Sequence, residues 1–545
     1  MSVRPTRSIV LGILTLLCVL VGATAWAGGG HSGPTVGPNV QVNDPQQLFP
    51  NDFPSRNTPT LAASADGQEL LAGWDDFQGF CGPPTNQACP PPAIPGVSGF
   101  GFSTDGGVSW TDGGAPYPIG SAQTAGHSWV DRGGSTGDDQ VFYFTGRMRA
   151  SASGSAGIGV YRGHFGAGTF VWDDAQLLAP GNPGDFYSRQ AIAAAKDDSR
   201  AGYIVQSNII EECDIPAFGF GQIEVFRSHD GGTTWQGPVV VSADAADSKD
   251  PDDPNCGASG TQQVAPVPAI GDHREIYLVW QFGPYLNLSG TFATTSSIAF
   301  SRSLDGGVTF SAPQLIVTYN NMREDPPVGY AKNRMNDQPR IAVATSGQHH
   351  GRIYVTFYQP VQPVSSPATK QSLVSSQAFI MFSDDQGNTW SAPQPIAGPV
   401  PATGLKRFWP TVAVRPGGDV DVVYLESQER QATPNPTDVE CSVLIGGGLR
   451  RTGTASSLVD TFWVQSRDGG ATFSAPVRVS TVTNNWCLAA YRGVGGLYSN
   501  MGDYLGIAAS GNRTLTLWPD ARNGFSDVFF AEVKGKADDH GHDDD

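Results

Sequence analysis

The sequence predicts an all-β fold assembled from repeated units of a few strands each. Three observations support this prediction: an eight-residue segment occurs five times, a pair of apolar strands occurs seven times, and the 545 residues include 68 glycines and 41 prolines. Repeats of this kind are typical of arrays in which each unit buries its apolar face against its neighbours. Short apolar runs between turn-forming residues are typical of strands rather than helices.

The eight-residue segment has the pattern Ser-x-Asp-x-Gly-x-Ser/Thr-Trp/Phe, and we expect each copy to form a tight turn between two strands. The aspartate can accept hydrogen bonds from backbone N–H groups, glycine supplies a positive φ, and the aromatic side chain packs beneath the turn. We expect these aspartates to be structural rather than catalytic. They are Asp105, Asp230, Asp305, Asp385 and Asp468.

The second repeat is a pair of apolar strands joined by a polar turn. The seven pairs begin at Thr58, His127, Arg189, Gln263, Gln338, Trp409 and Tyr504. Each pair except the last is followed by an outer pair that carries the eight-residue segment, although the copy near residues 160–170 has lost its aspartate. The strand missing from the last unit is available at residues 38–42, and a ring closed in this way leaves no free sheet edge. We therefore predict a β-propeller of seven blades, closed by an N-terminal strand that joins the last blade, with six blades as the alternative.

The N-terminal sequence predicts export. Arg4 and Arg7 precede an apolar run that ends near Ala25-Trp26-Ala27, which has the form of a signal-peptidase site. We expect a signal peptide at 1–27, a flexible segment at 28–35, a single propeller domain at 36–535, and a disordered acidic and histidine-containing tail at 536–545. The mature protein is then secreted or periplasmic.

The eight-residue pattern is that of the Asp-box, and the sequence resembles the Asp-box (BNR-repeat) propellers, which include the sialidases. This resemblance implies three arginines that hold a sialic acid carboxylate, a tyrosine nucleophile assisted by a glutamate, and an aspartate acid/base. The first blade begins Arg56-Asn57-Thr58-Pro59, with two residues where the family's Arg-Ile-Pro motif has one. Tyr498-Ser499 resembles the nucleophile segment. Sialidases have six blades, so a count of seven departs from them.

Long connections are expected on the face opposite the repeated turns, and binding sites usually lie on such loops. The residues entering or leaving the inner strands on that face combine guanidinium groups, which suit a carboxylate ligand, with carboxyl groups that can donate a proton. The catalytic candidates are Asp75, Asp76, Tyr498 and Tyr504, and the substrate-binding candidates are Arg56, Arg147, Arg189, Glu426, Asp520 and Arg522. For each of them, a solvated loop charge or a salt bridge between blades is the alternative.

Cysteine usage agrees with export, because loss of Cys18 with the signal leaves six cysteines. The predicted disulfides all fall in the long loops and are Cys81–Cys89, Cys213–Cys256 and Cys441–Cys487. A zinc site is the alternative, but the spacings resemble no zinc pattern.

Charge and composition restrict the partners. Removal of Arg4 and Arg7 leaves 31 basic residues against 51 acidic ones, a net charge of −20 that opposes nucleic acid and anionic membranes. We expect no membrane insertion, a monomer, and no cofactor, although the acidic loop 250–255 is a possible calcium site without assigned ligands. We predict a propeller that recognises a glycan or extracellular polymer on its loop-rich face. The alternative is an active exo-α-sialidase-type glycoside hydrolase, and the sequence leaves catalysis open.

Overall fold

The structure is a computed structural model of the full chain. The residues it describes are 33–45, 55–76, 97–134, 140–150, 156–178, 185–197, 202–210, 220–242, 261–284, 294–322, 327, 330, 337–361, 375–399, 405–427, 443–445, 448–450, 457–486 and 501–535. The predicted signal peptide, the C-terminal tail, the acidic loop 250–255 and all six predicted disulfide cysteines lie outside these ranges.

The elements of the described residues are β-strands, and they form antiparallel sheets in chain order. Two short strands come first, β1 (Thr35–Val36) and β2 (Val40–Gln41). The first sheet contains β3 (Arg56–Ala63), β4 (Leu70–Asp76), β5 (Ser98–Ser103) and β6 (Thr111–Gly114). The second contains β7 (Ala122–Thr124), β8 (Trp129–Gly133), β9 (Val141–Ala150), β10 (Ala156–Gly166) and β11 (Thr169–Leu178).

The third and fourth sheets have four strands each. The third contains β12 (Asp185–Ala194), β13 (Gly202–Ile210), β14 (Phe220–Ser228) and β15 (Gln236–Ser242). The fourth contains β16 (Thr261–Ile270), β17 (Ile276–Pro284), β18 (Thr295–Ser303) and β19 (Gln314–Asn320).

A nine-stranded sheet follows, in which two antiparallel groups are joined by a parallel pairing of Ser376 with Lys406. One group contains β20 (Arg340–Val343), β21 (Ile353–Pro360), β22 (Ser376–Ser383) and β23 (Gln394–Pro395). The other contains β24 (Lys406–Val414) and β25 (Val420–Ser427), then β28 (Leu458–Ser466), β29 (Val477–Arg478) and β30 (Asn484–Asn485), while β26 (Val443–Ile445) and β27 (Gly448–Arg450) form a separate hairpin. The last sheet contains β31 (Gly506–Ser510), β32 (Arg513–Asp520) and β33 (Asp527–Lys534), and both β1 and β2 pair with β33.

The strand registers give each sheet two distinct ends. In the fourth sheet, Ile270 pairs with Ile276, which in turn pairs with Ser303, the first residue of a repeated turn. The hairpin between the first two strands therefore lies beside the repeated turn, and we call this end of the sheets the turn end. At the opposite end, the connections between the second and third strands leave the sheet, and we call it the loop end.

The sheets are arranged as a β-propeller. Their first strands contact one another in the order β3, β8, β12, β16, β20, β24 and β31, and β31 contacts β3. All of these strands also line one cavity of about 560 Å³. Apolar residues on the faces of neighbouring sheets pack together to form the core, as β13 and β17 do through Tyr203, Ile276 and Leu278.

Each repeated turn is held by hydrogen bonds among its own residues. Asp305 accepts hydrogen bonds from the Ser303 hydroxyl at 2.7 Å and from the backbone N–H and hydroxyl of Thr309 at 2.9 and 2.6 Å. The Ser303 oxygen accepts the N–H of Gly307 at 2.8 Å. The corresponding aspartates of the other copies make the same contacts.

The turns also pack on the neighbouring sheet. Trp110, at the end of the first turn, lies 5.4 Å from the ring of Phe530 in the last sheet, and Trp390 lies 5.2 Å from Phe300 in the fourth sheet. Gly107 is needed at this contact, because its φ is +91° and a Cβ there would lie 2.1 Å from a Phe530 ring carbon. The turns thus stabilise contacts between sheets.

No helix within the described residues has the length and apolar character needed to cross a bilayer.

Candidate functional site

The first strands share an irregularity near the loop end. Residues with left-handed backbone occur close to the start of five first strands, and the pairing register shifts in four of those strands. The residues are Thr58, His127, Arg189, Ala265 and Trp409. A bulge in a strand changes the direction of its side chains and is frequent beside functional sites. Left-handed backbone is costly for residues other than glycine, so its recurrence at one level marks the centre of the loop end as a candidate site.

Arg340 lies at the centre of this region, stacked between two aromatic rings. Its guanidinium carbon is 4.8 Å from the ring centre of Trp129 and 4.4 Å from that of Tyr504. The three residues come from β8, β20 and the segment before β31. Arg340 is only 5 % exposed, and neither Nη1 nor Nη2 has a hydrogen-bond partner among the described residues. A buried cation without hydrogen-bonded acceptors is costly, so this arrangement fits a ligand group that supplies them.

Arg189 and Asp503 lie near Arg340, and the phenol of Tyr330 is hydrogen-bonded to Asp503. Arg189 Nη2 is 3.9 Å from Asp503 Oδ2, and the Tyr330 hydroxyl donates a 2.8 Å hydrogen bond to Asp503 Oδ1. Trp409 and Trp486 pack on the Tyr330 ring, with centroids 5.7 and 6.2 Å away. We define the central cluster as Trp129, Arg189, Tyr330, Arg340, Asp503 and Tyr504.

The segment that carries Asp503 and Tyr504 lies unusually close to β3. Gly502 has a φ of +85°, and a Cβ on it would lie 2.6 Å from the backbone nitrogen of Thr58. Glycine therefore permits the approach that brings the next two residues into the centre. The Tyr504 hydroxyl donates to the carbonyl of Ser128 at 3.3 Å, and the Ser128 N–H donates to Asp75 at 3.1 Å. These bonds connect the first, second and last sheets.

Burial controls the charge states in the cluster. It raises the pKa of Tyr504, and the negative charges of Asp75 and Asp503 raise it further, so this phenol stays protonated at neutral pH. Burial lowers the pKa of Arg340 to about 10, against the opposing effects of Tyr504 and Asp503. Arg340 is therefore still a cation at neutral pH. The cluster combines cations with hydrogen-bond donors, which suits an anionic or hydroxylated ligand.

The structure brings three of the sequence-predicted residues to this centre: Asp75, Arg189 and Tyr504. Tyr498 lies outside the described residues. Arg147 is half-buried beside residues 125–126, where its backbone N–H donates to Gly126 at 3.0 Å.

The other predicted residues form ion pairs near the loop end or within the last sheet. Arg56 Nε lies 3.0 Å from Asp76, and its Nη1 donates to the carbonyl of Asp44 at 2.7 Å. The partner of Glu426 is Arg407, at 2.8 Å.

Asp520 and Arg522 also pair with each other, at 2.7 Å. The Trp518 indole N–H donates to Asp520 at 3.0 Å, and the Arg522 guanidinium stacks 4.2 Å from the Phe529 ring. These predicted ligand-binding residues therefore form ion pairs within the protein, either across neighbouring strands or between residues close in sequence.

Sequence reasoning did not single out Arg340, Asp503, Tyr330 or Trp129. Arg340 lies in the segment Gln338-Pro339-Arg340, at the start of a repeated inner strand. Its position, three residues before the last residue of β20, corresponds to that of Ala191 in β12. A charged residue where the other repeats have Thr, Ala, Val or Ile was the signal that could have identified it.

Within the ranges that the structure describes, no three His, Cys, Asp or Glu residues come together as metal ligands do.

Comparison with known proteins gives similarity of shape alone. No family model matches the chain, and no curated protein matches it. Among solved structures, the GH93 α-L-arabinofuranosidase of Fusarium graminearum, in complex with arabinobiose, is 14% identical with a TM-score of 0.43, covering 71% of this chain and 92% of the other. The α-L-arabinanase of Penicillium chrysogenum is 15% identical with a TM-score of 0.41, covering 72% of this chain and 94% of the other. A Trypanosoma rangeli sialidase is 10% identical with a TM-score of 0.37, covering 92% of this chain and 59% of the other. At such values the likeness says nothing about ligand or reaction.

Proposed function

We propose that this protein is an exported Asp-box propeller that binds an acidic glycan or extracellular polymer at the loop end of its central channel. One observation carries the proposal: residues from several sheets converge there as a buried cluster of two arginines, an aspartate and aromatic rings. The left-handed residues in four first strands and just before a fifth support it, since a scaffold rarely retains repeated backbone strain without a functional reason.

The chemistry of the cluster fits carbohydrate acids. A guanidinium group matches a carboxylate in two parallel hydrogen bonds, and Arg340 has two Nη atoms without partners among the described residues. Asp75 and Asp503 carry oxygens that can accept hydrogen bonds from sugar hydroxyls. Trp129 is only partly buried and presents an aromatic ring against which an apolar sugar face can pack.

A closed ring of seven blades is part of this proposal. The seven first strands that line one cavity and contact one another in sequence support it. Each of the two groups within the nine-stranded sheet then corresponds to one blade. Pairing of β1 and β2 with β33, together with the packing of Trp110 on Phe530, supports closure between the two ends of the chain. The domain boundaries 36–535 follow from the same arrangement.

Export, disulfide formation and a monomeric state also remain proposals. The signal sequence and the even number of mature cysteines support the first two. Mass spectrometry of the protein from its native host is expected to show a mature chain that begins at residue 28. A thiol assay without reductant is expected to detect no free thiol. Six reactive thiols would contradict the three disulfides. Light scattering is expected to give the mass of one chain.

The binding experiment uses a glycan array and then a titration. The mature protein is expected to bind acidic glycans, and Asp503→Asn is expected to weaken binding about tenfold or more, which corresponds to about 1.4 kcal/mol or more. The matched control is Arg352→Gln at the turn end, where Arg352 pairs with Asp384 at 2.6 Å and stacks on Phe382. If the two variants bind alike, or if no acidic glycan is retained, the proposed site is wrong.

A hydrolase is the second candidate function, and one contact favours it. Tyr330 donates a 2.8 Å hydrogen bond to Asp503, and a phenol paired with a carboxylate can be activated as a nucleophile. Tyr504 is less suited to that role because its pKa is raised. Release of a fluorescent aglycone from a sialoside is the assay, and Tyr330→Phe is expected to abolish release if the chain is a hydrolase. Binding without release from a broad panel of glycosides would leave recognition as the function.

A further inference from the structure

The cavity lined by the seven first strands extends from the central cluster toward the turn end. Its volume is about 560 Å³, which lies within the usual range for small-molecule sites of roughly 300–1,000 Å³. The lining residues follow the first strands toward the hairpins at the turn end, as in the segments 60–63, 192–197, 267–272, 340–343, 411–416 and 505–509. The cavity therefore opens on the face opposite the proposed glycan site.

The walls of this cavity are mostly small and apolar. Alanine, valine and isoleucine residues of different first strands line it, including Ala63, Ala193, Ile270, Val343, Ala413 and Ala509. Apolar walls in a concave site favour a ligand with an apolar body, because binding removes both surfaces from water.

Charged residues near the opening already have partners. Lys196 pairs with Asp131, Asp272 lies 2.7 Å from His350, and Arg415 lies 2.5 Å from Asp421. Because these charged groups pair with one another, they are not assigned to the ligand.

The inner end of the cavity contains Arg340. Its side chain is the buried cation whose Nη1 and Nη2 have no partner among the described residues, and Trp129, which stacks on it, also lines the cavity. A buried guanidinium at the end of an apolar channel matches a ligand with one anionic head and an apolar chain. Along β20, the three steps from Arg340 to Val343 span about 10 Å, so the chain would be of medium length.

We propose that the turn-end cavity binds a small amphipathic carboxylate, such as a medium-chain fatty acid. The carboxylate accepts hydrogen bonds from Arg340 Nη1 and Nη2, and the hydrocarbon chain lies along the apolar first strands toward the turn end. This site has its own entrance and a different class of ligand, but it shares Arg340 and Trp129 with the proposed glycan site.

Isothermal titration of the mature protein with octanoate tests the proposal. We expect saturable binding of octanoate, and at least tenfold weaker binding of octan-1-ol and of octyltrimethylammonium, which lack the carboxylate. Octanol binding as tightly as octanoate would overturn the role of Arg340. No saturable binding of octanoate at millimolar concentration would overturn the site and leave a water-filled channel.

Two variants locate the site and one serves as a control. Arg340→Gln is expected to weaken octanoate binding at least tenfold, and Ala413→Leu, which places a larger side chain in the channel, is expected to reduce it to a similar extent. Ala392→Leu, on an exposed turn-end segment, is expected to bind as the wild type does. A thermal melt of each variant identifies any that fails to fold. Equal binding by all three would contradict the proposal.

Because both proposed sites contain Arg340, the variants Ala413→Leu in the cavity and Asp503→Asn at the loop end separate the two proposals. Failure of octanoate binding leaves the loop-end proposal standing, and failure of the glycan array leaves the cavity proposal standing.

Discussion

Replacing Arg340 with methionine is expected to stabilise the protein. Burial lowers the pKa of Arg340 from 12.5 to about 10, and each pKa unit corresponds to about 1.4 kcal/mol, so folding with this side chain charged costs about 3 kcal/mol. Methionine is flexible and apolar and can fill the same space between the rings of Trp129 and Tyr504. Loss of the two contacts between the guanidinium and the aromatic rings costs about 1 kcal/mol each, which offsets part of this gain. The expected net gain in the free energy of unfolding is about 1 kcal/mol.

The same substitution at Arg415 provides the matched control. Arg415 is also buried, but its Nε donates to Asp421 at 2.5 Å, its Nη1 to the carbonyl of Asn512 at 2.6 Å and its Nη2 to Thr514 at 3.0 Å. Arg415→Met removes the cation that pairs with Asp421, a fully buried carboxylate that keeps only the neutral donors of Trp463 and Gln465. Removing one member of a buried ion pair typically costs about 3–5 kcal/mol. The two variants are therefore expected to shift stability in opposite directions.

Denaturant unfolding followed by tryptophan fluorescence measures both variants beside the wild type. We expect a higher unfolding midpoint for Arg340→Met and a markedly lower one for Arg415→Met. The linkage has a definite sign: the cost of charging Arg340 is present below about pH 10 and is relieved as pH rises through that value toward 12.5. If Arg340→Met destabilises the protein as strongly as Arg415→Met does, Arg340 is a paired structural cation and the case for a ligand at this position fails.

Two further predictions concern the repeated turns. The hydroxyl and N–H of Thr389 lower the pKa of Asp385 to about 2. The carboxylate therefore stabilises the fold above about pH 4 and loses that effect as pH falls toward 2. In thermal melts, Asp385→Asn is expected to be less stable than the wild type at pH 7, with a smaller difference at pH 2.5. An unchanged difference at both pH values would contradict this reasoning. Gly107→Ala is expected to lower the free energy of unfolding by at least about 2 kcal/mol, because the new methyl group overpacks against Phe530. The control Gly114→Ala has a similar positive φ but open space around it, and it is expected to lower the free energy of unfolding by about 1 kcal/mol. Equal losses in urea titrations would mean that the turn does not pack on the neighbouring sheet.

The repeated turns were predictable because their hydrogen bonds are local. Asp305 is held by Ser303 and Thr309, all within one eight-residue segment, so the pattern of residue types carries the geometry. The inner strand pairs were predictable for a related reason, since their alternation of apolar residues repeats along the chain. The order of the sheets then follows from the order of the repeats.

The central cluster was harder to predict because its contacts join distant parts of the chain. Arg340 was interpreted as part of an apolar strand, and neither its stacking on Trp129 nor that on Tyr504 has a local signal. The left-handed backbone of Thr58 also runs against the preference of a β-branched residue, so tertiary contacts overrode local propensity there.

Charge type alone also proved insufficient for assigning a ligand site. Arg56 and Asp76 are directly opposite each other in the register of β3 and β4, and they pair across the strands. That register depends on a bulge between Asn57 and Thr60 that the residue pattern did not reveal. By contrast, Arg189 was identified because it enters a repeated inner strand on the loop face.

A crystal structure of the mature protein with a bound acidic oligosaccharide is the sharpest test of ligand binding at the central cluster. We expect ligand density at the loop end, with a sugar carboxylate within hydrogen-bond distance of Arg189 or Arg340 and a sugar hydroxyl near Asp503. Density confined to the outer strands or to the repeated turns, with the central cluster unchanged and filled only by water, would contradict it.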